Sequence, residues 1–320
     1  MPTTLVPLTQ VYLTPAVELF VENYKAEQEQ SPLLPSRVLD EPAWIQGVLQ
    51  SKLANPGVAV LEGNRLVAYM VTGGQFRWKG QQAAIIPEYC HSAIGTKKRE
   101  LYQRMYMHLA QEWVNHHTHL HLIRHFAHDT LLQETLYQLG FGAILAERLR
   151  DFSAIDESLD ERQDVTIRVE EEVSKLINIQ TEHNRYYPNA PIFIPKSTEK
   201  AEVVAELEEH AQQGDMFLVY YEDHEPCAYM IVGESTIDGE GFLLEQTNTA
   251  QIKSAYARTE MRGKGIGTAL LQRAIEWSQD QGYDRLFVEH ETANFYGGNF
   301  WGKYFTPYLY ASMRYIDNAL

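Results

Sequence analysis

The sequence predicts an α/β protein made of two tandem domains, and three observations support this prediction. Apolar residues recur at helical spacing in several segments, and short apolar runs bounded by Gly, Pro or Asn lie between these segments. The order of elements in the first half of the chain returns in the second half. With 320 residues, the chain is long enough for each half to bury a core of its own.

In the first half, the pattern begins with two helices and a hairpin. Apolar spacing predicts helices over 14–28 and 41–53, and the turn Gly63-Asn64 joins two short apolar strands, 58–62 and 66–71. The remaining predicted elements are a strand at 82–86, a helix at 98–116, a strand at 120–126 and a helix at 131–139.

A polar, acidic segment then separates the two halves. We expect residues 153–164 to be a linker between domains 1–152 and 165–320. The second half repeats the order with a strand at 166–169, helices at 171–182 and 198–212 around a proline-rich irregular stretch, hairpin strands at 216–221 and 227–232, and a strand at 285–289.

A constant offset indicates that the two halves arose by duplication. A shift of 164 residues places Trp113 on Trp277 and Phe141 on Phe305. It also aligns Glu112 with Glu276 and Leu136-Tyr137 with Phe300-Trp301. Chance matching of common residues explains such pairs poorly when the order of predicted elements also agrees.

Composition narrows the classes of function. The chain is 44% hydrophobic and 22% charged, which is typical of a globular protein, and its net charge of −16 disfavours binding to nucleic acid or anionic lipid. It has neither an apolar run of membrane-spanning length nor a signal-peptide pattern, and it has only two cysteines, Cys90 and Cys227. We therefore expect a cytoplasmic protein in which both cysteines are core residues.

Seven of the histidines cluster between His108 and His128, which raises the question of a metal site. No cysteine or suitably spaced carboxylate completes a ligand set there. We therefore expect no metal.

A glycine-rich turn is the strongest candidate for a binding site. Gly263, Gly265 and Gly267 alternate before a helix of apolar period, so their backbone N–H groups could converge on a phosphate at the positive end of the helix dipole. Arg262 and Lys264 add positive charge. The spacing fits neither a Walker loop nor a dinucleotide fingerprint, and a helix entrance without a ligand is the alternative interpretation.

The segment Arg262-x-x-Gly-x-Gly267 resembles the acyl-CoA pyrophosphate motif of the GNAT superfamily of N-acyltransferases. Downstream, Asn294, the pair Phe300-Trp301 and the run Lys303-Tyr-Phe305 resemble the family's second signature, and the likeness covers roughly residues 215–315. The resemblance implies two GNAT-like domains, each a mixed β-sheet flanked by helices. It also implies transfer of an acetyl group from acetyl-CoA, as co-substrate, to a primary amine of a small molecule.

The resemblance also assigns cofactor-binding residues. They are Tyr256, Ala257, Arg262, Gly263, Lys264, Gly265, Ile266, Gly267, Thr268 and Asn294. Asn294 could equally serve as a helix N-cap.

The catalytic acid is where the sequence departs from the family pattern. Trp301 stands where many relatives have tyrosine, and an indole N–H cannot supply a proton near neutral pH. Tyr296, Tyr304 and Tyr308 lie nearby, and we take Tyr304 as the candidate acid. Glu245, upstream of the cofactor strand, is the candidate base, with a merely solvated carboxylate as the alternative.

The first repeat should not bind the cofactor. The 164-residue shift places Arg99–Gln103 on Gly263–Gly267, so that side chains replace all three glycines. Two alternatives to small-molecule transfer remain, a non-catalytic acyl-CoA sensor and an acetyltransferase for peptide or protein amines. We expect no nucleic-acid or membrane partner, and a monomer or homodimer.

Overall fold

The computed structural model describes residues 2–78, 80–155, 165–237, 239–317 and 319. Most of the predicted linker, residues 156–164, lies outside the described residues. The chain forms two compact units. The first comprises Met1–Glu147, Asp238–Glu245 and Pro307–Leu320, and the second comprises Arg148–Ile237 and Gln246–Thr306.

Strands and helices are numbered in chain order. The first repeat contains β1 (Thr3–Pro7), α1 (Leu13–Gln30), α2 (Arg37–Asp40), α3 (Pro42–Lys52), β2 (Gly57–Glu62), β3 (Arg65–Val71), β4 (Gly74–Trp78), β5 (Gln81–Ile86), β6 (His91–Ala93), α4 (Lys98–Asn115), β7 (Leu120–Phe126), α5 (Thr130–Gln138) and β8 (Gly142–Arg150). The second contains β9 (Ile167–Val169), α6 (Ile177–Tyr186), α7 (Lys200–Gln212), β10 (Met216–Glu222), β11 (Glu225–Glu234), β12 (Thr249–Ala257), α8 (Ile266–Asp280), β13 (Arg285–Glu291), α9 (Phe295–Tyr304) and β14 (Thr306–Tyr315).

These elements confirm the α/β class and the tandem repeat of mixed sheets flanked by helices. Under the 164-residue shift, α5 matches α9, β7 matches β13, and β8 matches β14, with each boundary within about two residues. Both predicted hairpins form, β2 with β3 and β10 with β11, and each pairs antiparallel. Cys90 and Cys227 are both buried and free, as expected of core residues.

The C-terminal strand belongs to the first unit. β14 pairs antiparallel with β7, from Leu309 opposite Phe126 to Tyr315 opposite Leu120. The sheet of this unit runs in the order β4-β5-β7-β14-β8, beside a four-stranded sheet of order β1-β2-β3-β6. The predicted second domain ran to residue 320, so the unit boundary differs from the prediction at this end. The physical reason is long-range strand pairing, which local periodicity does not encode.

A short insertion also packs within the first unit. Tyr89 donates its O–H to the Glu240 carbonyl at 2.8 Å, and Gly241 lies so close to Tyr89 that a Cβ there would approach the ring to 2.4 Å. The Arg37 guanidinium donates to the Glu245 carbonyl at 3.3 Å. Residues 239–245 are therefore fixed by contacts with the first repeat, although they belong to the second repeat in sequence.

The second unit is a sheet of order β13-β12-β11-β10-β9 with helices on both faces. Because side chains alternate along a strand, Ala228 and Met230 pack under α8, whereas Tyr229 and Ile231 pack under α6 and α7. Within the described ranges, no helix is long and apolar enough to cross a membrane.

A buried ion pair lies within the second unit. Lys253 donates to Asp215 Oδ1 at 2.7 Å, and His210 Nδ1 lies 2.8 Å from Asp215 Oδ2. The Lys253 and Asp215 side chains are only 6% and 1% exposed. Removing one partner would leave the other charge buried and uncompensated.

We therefore expect Asp215→Ala to lower the free energy of unfolding by about 3–5 kcal/mol. Glu276→Ala is the matched control, because Glu276 pairs with Arg273 in solvent, where such pairs contribute about 0–1 kcal/mol. Urea unfolding measures the loss of unfolding free energy in both variants. Equal effects of the two substitutions would contradict this account of the pair.

Candidate active site

The site lies where two parallel strands separate. β12 and β13 pair from Thr249 opposite Arg285 to Ile252 opposite Val288, and β12 continues to Ala257 beyond that register. A pocket of about 350 Å³ opens there. It is lined by His183, Tyr186, Tyr229, Met230, Ala255, Tyr256, Ala257, Met261, Arg262, Gly263, Gly265, Gly267, Thr268, Leu270, Asn294, Tyr296, Gly297, Phe300, Trp301, Lys303 and Tyr304.

The glycine turn forms one end of the pocket. Gly263 and Gly265 both have φ of 76°, the left-handed region that glycine alone adopts readily, and Gly265 directly precedes α8. A Cβ at either position would meet nothing within 4 Å, so backbone conformation rather than crowding requires glycine. The space over the turn is open, at the positive end of the α8 dipole.

Gly267 has a different role. A Cβ there would lie 3.2 Å from Phe300 Cε2, so glycine allows α8 and α9 to approach closely. Backbone conformation thus favours glycine at Gly263 and Gly265, close helix packing favours it at Gly267, and all three line the pocket.

The open edge of β12 forms the wall of the pocket. Arg258 N donates to the Cys227 carbonyl at 3.0 Å, so Arg258 faces β11. Because backbone groups alternate in an antiparallel ladder, those of Ala255 and Ala257 point away from β11, towards the pocket. The backbone of Tyr256 instead faces β11, and this residue offers its ring.

Positive charge surrounds the mouth of the pocket. The Arg262 guanidinium lies 4.4 Å from the centre of the Tyr296 ring and 5.3 Å from that of Tyr186, and its Nε donates to the Ala257 carbonyl at 3.2 Å. Lys303 lines the pocket and Lys264 lies exposed on the turn. Among the described residues, no Asp or Glu contributes to the lining. In a chain of net charge −16, this local balance favours an anionic ligand.

Asn294 is the N-cap of α9. Its Oδ1 accepts from Gly297 N at 3.1 Å and from the Tyr186 O–H at 3.1 Å. A Cβ on Gly297 would lie 2.8 Å from Asn294 Nδ2, so glycine permits this cap. The capping interpretation is thus confirmed, and contact of Asn294 with the pantetheine arm stays a prediction.

Tyr304 and Thr268 face each other in the pocket, with 3.0 Å between the tyrosine O and threonine Oγ1. Trp301 is 7% exposed and packs against Phe305 in the core, as expected of a residue that cannot act as the acid. Tyr296 lines the pocket but is half exposed. The third tyrosine near Trp301 in sequence, Tyr308, is buried in the first unit, where its O–H donates to Glu147.

Three predicted site residues do not line the pocket. Ile266, the first residue of α8, is buried in the core, and the Lys264 side chain lies outside the lining with its Nζ 4.0 Å from Met261 Sδ. Glu245 lies in a turn of the first unit, not on a strand edge, and its carbonyl accepts the hydrogen bond from Arg37. Its role as a base stays a prediction.

His183 lines the pocket and sequence reasoning missed it. It comes from α6, and its ring stacks on Tyr256 with centroids 5.0 Å apart and an interplanar angle of 25°. Nδ1 lies 2.7 Å from the Tyr229 hydroxyl. Burial, then the charges of Lys196 and Arg262, lower the pKa of His183 to about 3, so the ring is neutral near pH 7.

Three histidines of the first half, two of them from the cluster between His108 and His128, are buried in the fold. His91, His121 and His125 are buried and hydrogen-bonded, and burial lowers the pKa of each to about 4. In the part of the chain that the structure describes, no group of three or more His, Cys, Asp or Glu side chains could hold a metal ion.

Comparison with known proteins finds a family similar to the part of the chain that lines this pocket. A family model described as the acetyltransferase (GNAT) family matches residues 176–305. Streptothricin acetyltransferase A of Bacillus subtilis (strain 168) is 29% identical over 94 residues, which are 29% of this chain and 54% of that protein. The chain thus spans about half the length of this curated relative.

Solved structures add information on the fold. A GCN5-related N-acetyltransferase from Sphaerobacter thermophilus superposes with a TM-score of 0.55 at 12% identity, over 98% of this chain and 95% of that one. A tandem GNAT protein from the clavulanic acid biosynthesis pathway gives 0.45 at 12% identity over 98% of both chains, a likeness too low to bear on the assignment. The family match and the fold agree with the glycine turn and the open strand edge, and residues 176–305 are thus similar to the acetyltransferase (GNAT) family.

Proposed function

We propose that this protein is an acyl-CoA-dependent N-acetyltransferase, which moves the acetyl group of acetyl-CoA to a primary amine of a small molecule. The observation that carries the proposal is the open glycine turn at the start of α8, beside the free edge of β12. The name of the curated relative also supports acetyl transfer.

The pocket offers partners for each part of acetyl-CoA. The pyrophosphate would accept hydrogen bonds from the turn between Gly263 and Gly267, with Arg262 nearby. The pantetheine arm would lie along the edge of β12, where the backbone groups of Ala255 and Ala257 face the pocket. A backbone N–H on this edge would polarise the thioester carbonyl for attack by the amine.

The transfer itself needs two proton movements. The amine nitrogen forms a bond to the carbonyl carbon and loses a proton to a base, and the C–S bond breaks with the electron pair on sulfur. We propose that Tyr304 protonates that thiolate, a role supported by its position in the lining and by the 3.0 Å between its hydroxyl and Thr268 Oγ1. Glu245 remains the base predicted from the sequence, to be tested as Glu245→Gln.

The first repeat lacks the corresponding site. Lys98, where α4 begins, matches Arg262 under the 164-residue shift, whereas α8 begins only at Ile266. The helix of the first repeat therefore starts one turn earlier and occupies the positions of the glycine turn. Leu101 and Tyr102, which match Gly265 and Ile266, are buried. The early start of α4 and the burial of Leu101 and Tyr102 support the binding of one cofactor per chain.

Release of free CoA tests the proposal. A thiol reagent should report CoA formed from acetyl-CoA when the full chain is mixed with small amines, polyamines, amino acids or peptides. We expect acceptor-dependent release with a small amine. Binding of acetyl-CoA without release for any acceptor would support the sensor alternative, and release only with peptides would support a peptide or protein acceptor.

A further inference from the structure

We propose that His183 Nε2 accepts a hydrogen bond from the amino group of the acceptor substrate, and that a buried chain of side chains holds the imidazole in the tautomer that makes this possible. The identity of the substrate rests on the proposed function. The tautomer rests on hydrogen bonds alone, so it can be tested without any acyl-CoA.

The two ends of the pocket lie on opposite faces of the sheet. Ala257 and Leu270 belong to the face covered by α8, which also holds the glycine turn. Tyr229 and Tyr256 belong to the face covered by α6, from which His183 enters the lining. A ligand with its phosphates on the turn would therefore direct its other end towards His183.

The chain of hydrogen bonds begins at a backbone carbonyl, which fixes its direction. Asn184 Nδ2 donates to the Ser197 carbonyl at 2.8 Å, because that oxygen can only accept. Asn184 Oδ1 must then accept, and Gln180 Nε2 donates to it at 3.2 Å. This leaves Gln180 Oε1 as an acceptor directed at the Tyr229 hydroxyl.

The Tyr229 hydroxyl determines which nitrogen of His183 carries the proton. Its only hydrogen goes to Gln180 Oε1, so its oxygen can only accept from its other neighbours. His183 Nδ1, at 2.7 Å, must be the protonated nitrogen that donates to it, and the Ser254 hydroxyl donates at 3.1 Å. The remaining nitrogen of a neutral ring, Nε2, then carries a lone pair.

Nε2 is available to a ligand. This nitrogen has no hydrogen-bond partner among the described residues. It is not fully buried, and the His183 side chain lines the pocket, so a ligand in the pocket can reach it. The groups that face the ring are Tyr187, Tyr229 and Tyr256, with the cations Lys196 and Arg262 further out.

This environment favours a ligand that donates a hydrogen bond over an anion. Since all three tyrosines are uncharged near pH 7 and both cations oppose a second proton, the ring stays neutral and can only accept at Nε2. An N–H of an amine satisfies such an atom, whereas a carboxylate would place its oxygens against a lone pair. His183 therefore binds and orients the amino group, and its low basicity argues against a role as the proton acceptor.

NMR of the full chain with ¹⁵N-labelled histidine tests the tautomer, with His183→Asn to assign the signal. We expect Nδ1 protonated and Nε2 bare from pH 7 down to pH 5. An Nε2–H tautomer or an imidazolium at pH 7 would overturn the proposal. Gln180→Leu, or Tyr229→Phe if the first variant does not fold, should remove the hydrogen bonds that fix the tautomer. The ring should then be a mixture of both tautomers. An unchanged tautomer in the folded variant would contradict the role proposed for this series of hydrogen bonds.

Ligand class is tested on the wild-type chain saturated with CoA. Ethylamine should shift the Nε2 resonance, and acetate, a carboxylate of similar size, should leave it unchanged. No shift with ethylamine, or an equal shift with acetate, would overturn the proposal that the amine binds at the end of the pocket next to His183. Because neither titration requires turnover, failure here is distinguishable from failure of acetyl transfer, which the CoA-release assay judges.

Discussion

Gly265→Val is expected to weaken acetyl-CoA binding by about a hundredfold or more. Valine is strongly disfavoured at φ of 76°, so the turn must rearrange and its N–H groups will no longer converge. Hydrogen bonds to a charged group contribute about 1.5–3 kcal/mol each, and losing two of them corresponds to at least two orders of magnitude in affinity.

Gly282→Val provides the matched control at the other end of α8. Gly282 has φ of 79°, and a Cβ there would also meet nothing within 4 Å, so the local strain is equivalent. Titration calorimetry should show nearly normal affinity for this variant. Equal losses in both variants, or normal affinity in a folded Gly265→Val protein, would show that the turn does not bind the pyrophosphate.

Tyr304→Phe is expected to lower kcat by about 10²–10⁴ and to leave acetyl-CoA affinity within a few-fold of wild type. The substitution removes the hydroxyl that lies 3.0 Å from Thr268 Oγ1 and keeps the ring packed against Phe300. A proton donor to the thiolate acts on the leaving group, so its loss should appear in turnover rather than in binding.

Tyr296→Phe is the control for this prediction, because Tyr296 lines the same pocket but is 53% exposed beside Arg262. We expect its kcat to change by less than about threefold, as for a surface substitution. Steady-state CoA release at saturating acetyl-CoA measures both variants. A normal rate for Tyr304→Phe would leave the thiolate to be protonated by another group.

The parts of the structure that local sequence determines could be predicted. The glycine turn, the helix that follows it and both hairpins depend on residues within a few positions of one another, and each forms where the pattern predicts. The offset between repeats was also readable, because duplication preserves residue types at fixed spacing. Asn294 caps α9 for the reason that its residue type suggests.

The parts that depend on distant contacts could not be predicted. Nothing near β14 indicates that it pairs with β7, and nothing near Glu245 indicates that its turn packs in the first unit. His183 was missed for the same reason, since its state depends on Tyr229, which follows 46 residues later. A histidine inside an ordinary helix gives no local signal of such a partner.

We propose that the glycine turn of the second repeat binds acyl-CoA and that each chain binds one. This proposal rests on the early start of α4, which fills in the first repeat the positions that remain open at α8. Calorimetric titration of the full wild-type chain with acetyl-CoA tests it most directly. We expect saturation at about one equivalent of acetyl-CoA per chain. Saturation at two equivalents, or no binding, would contradict this proposal.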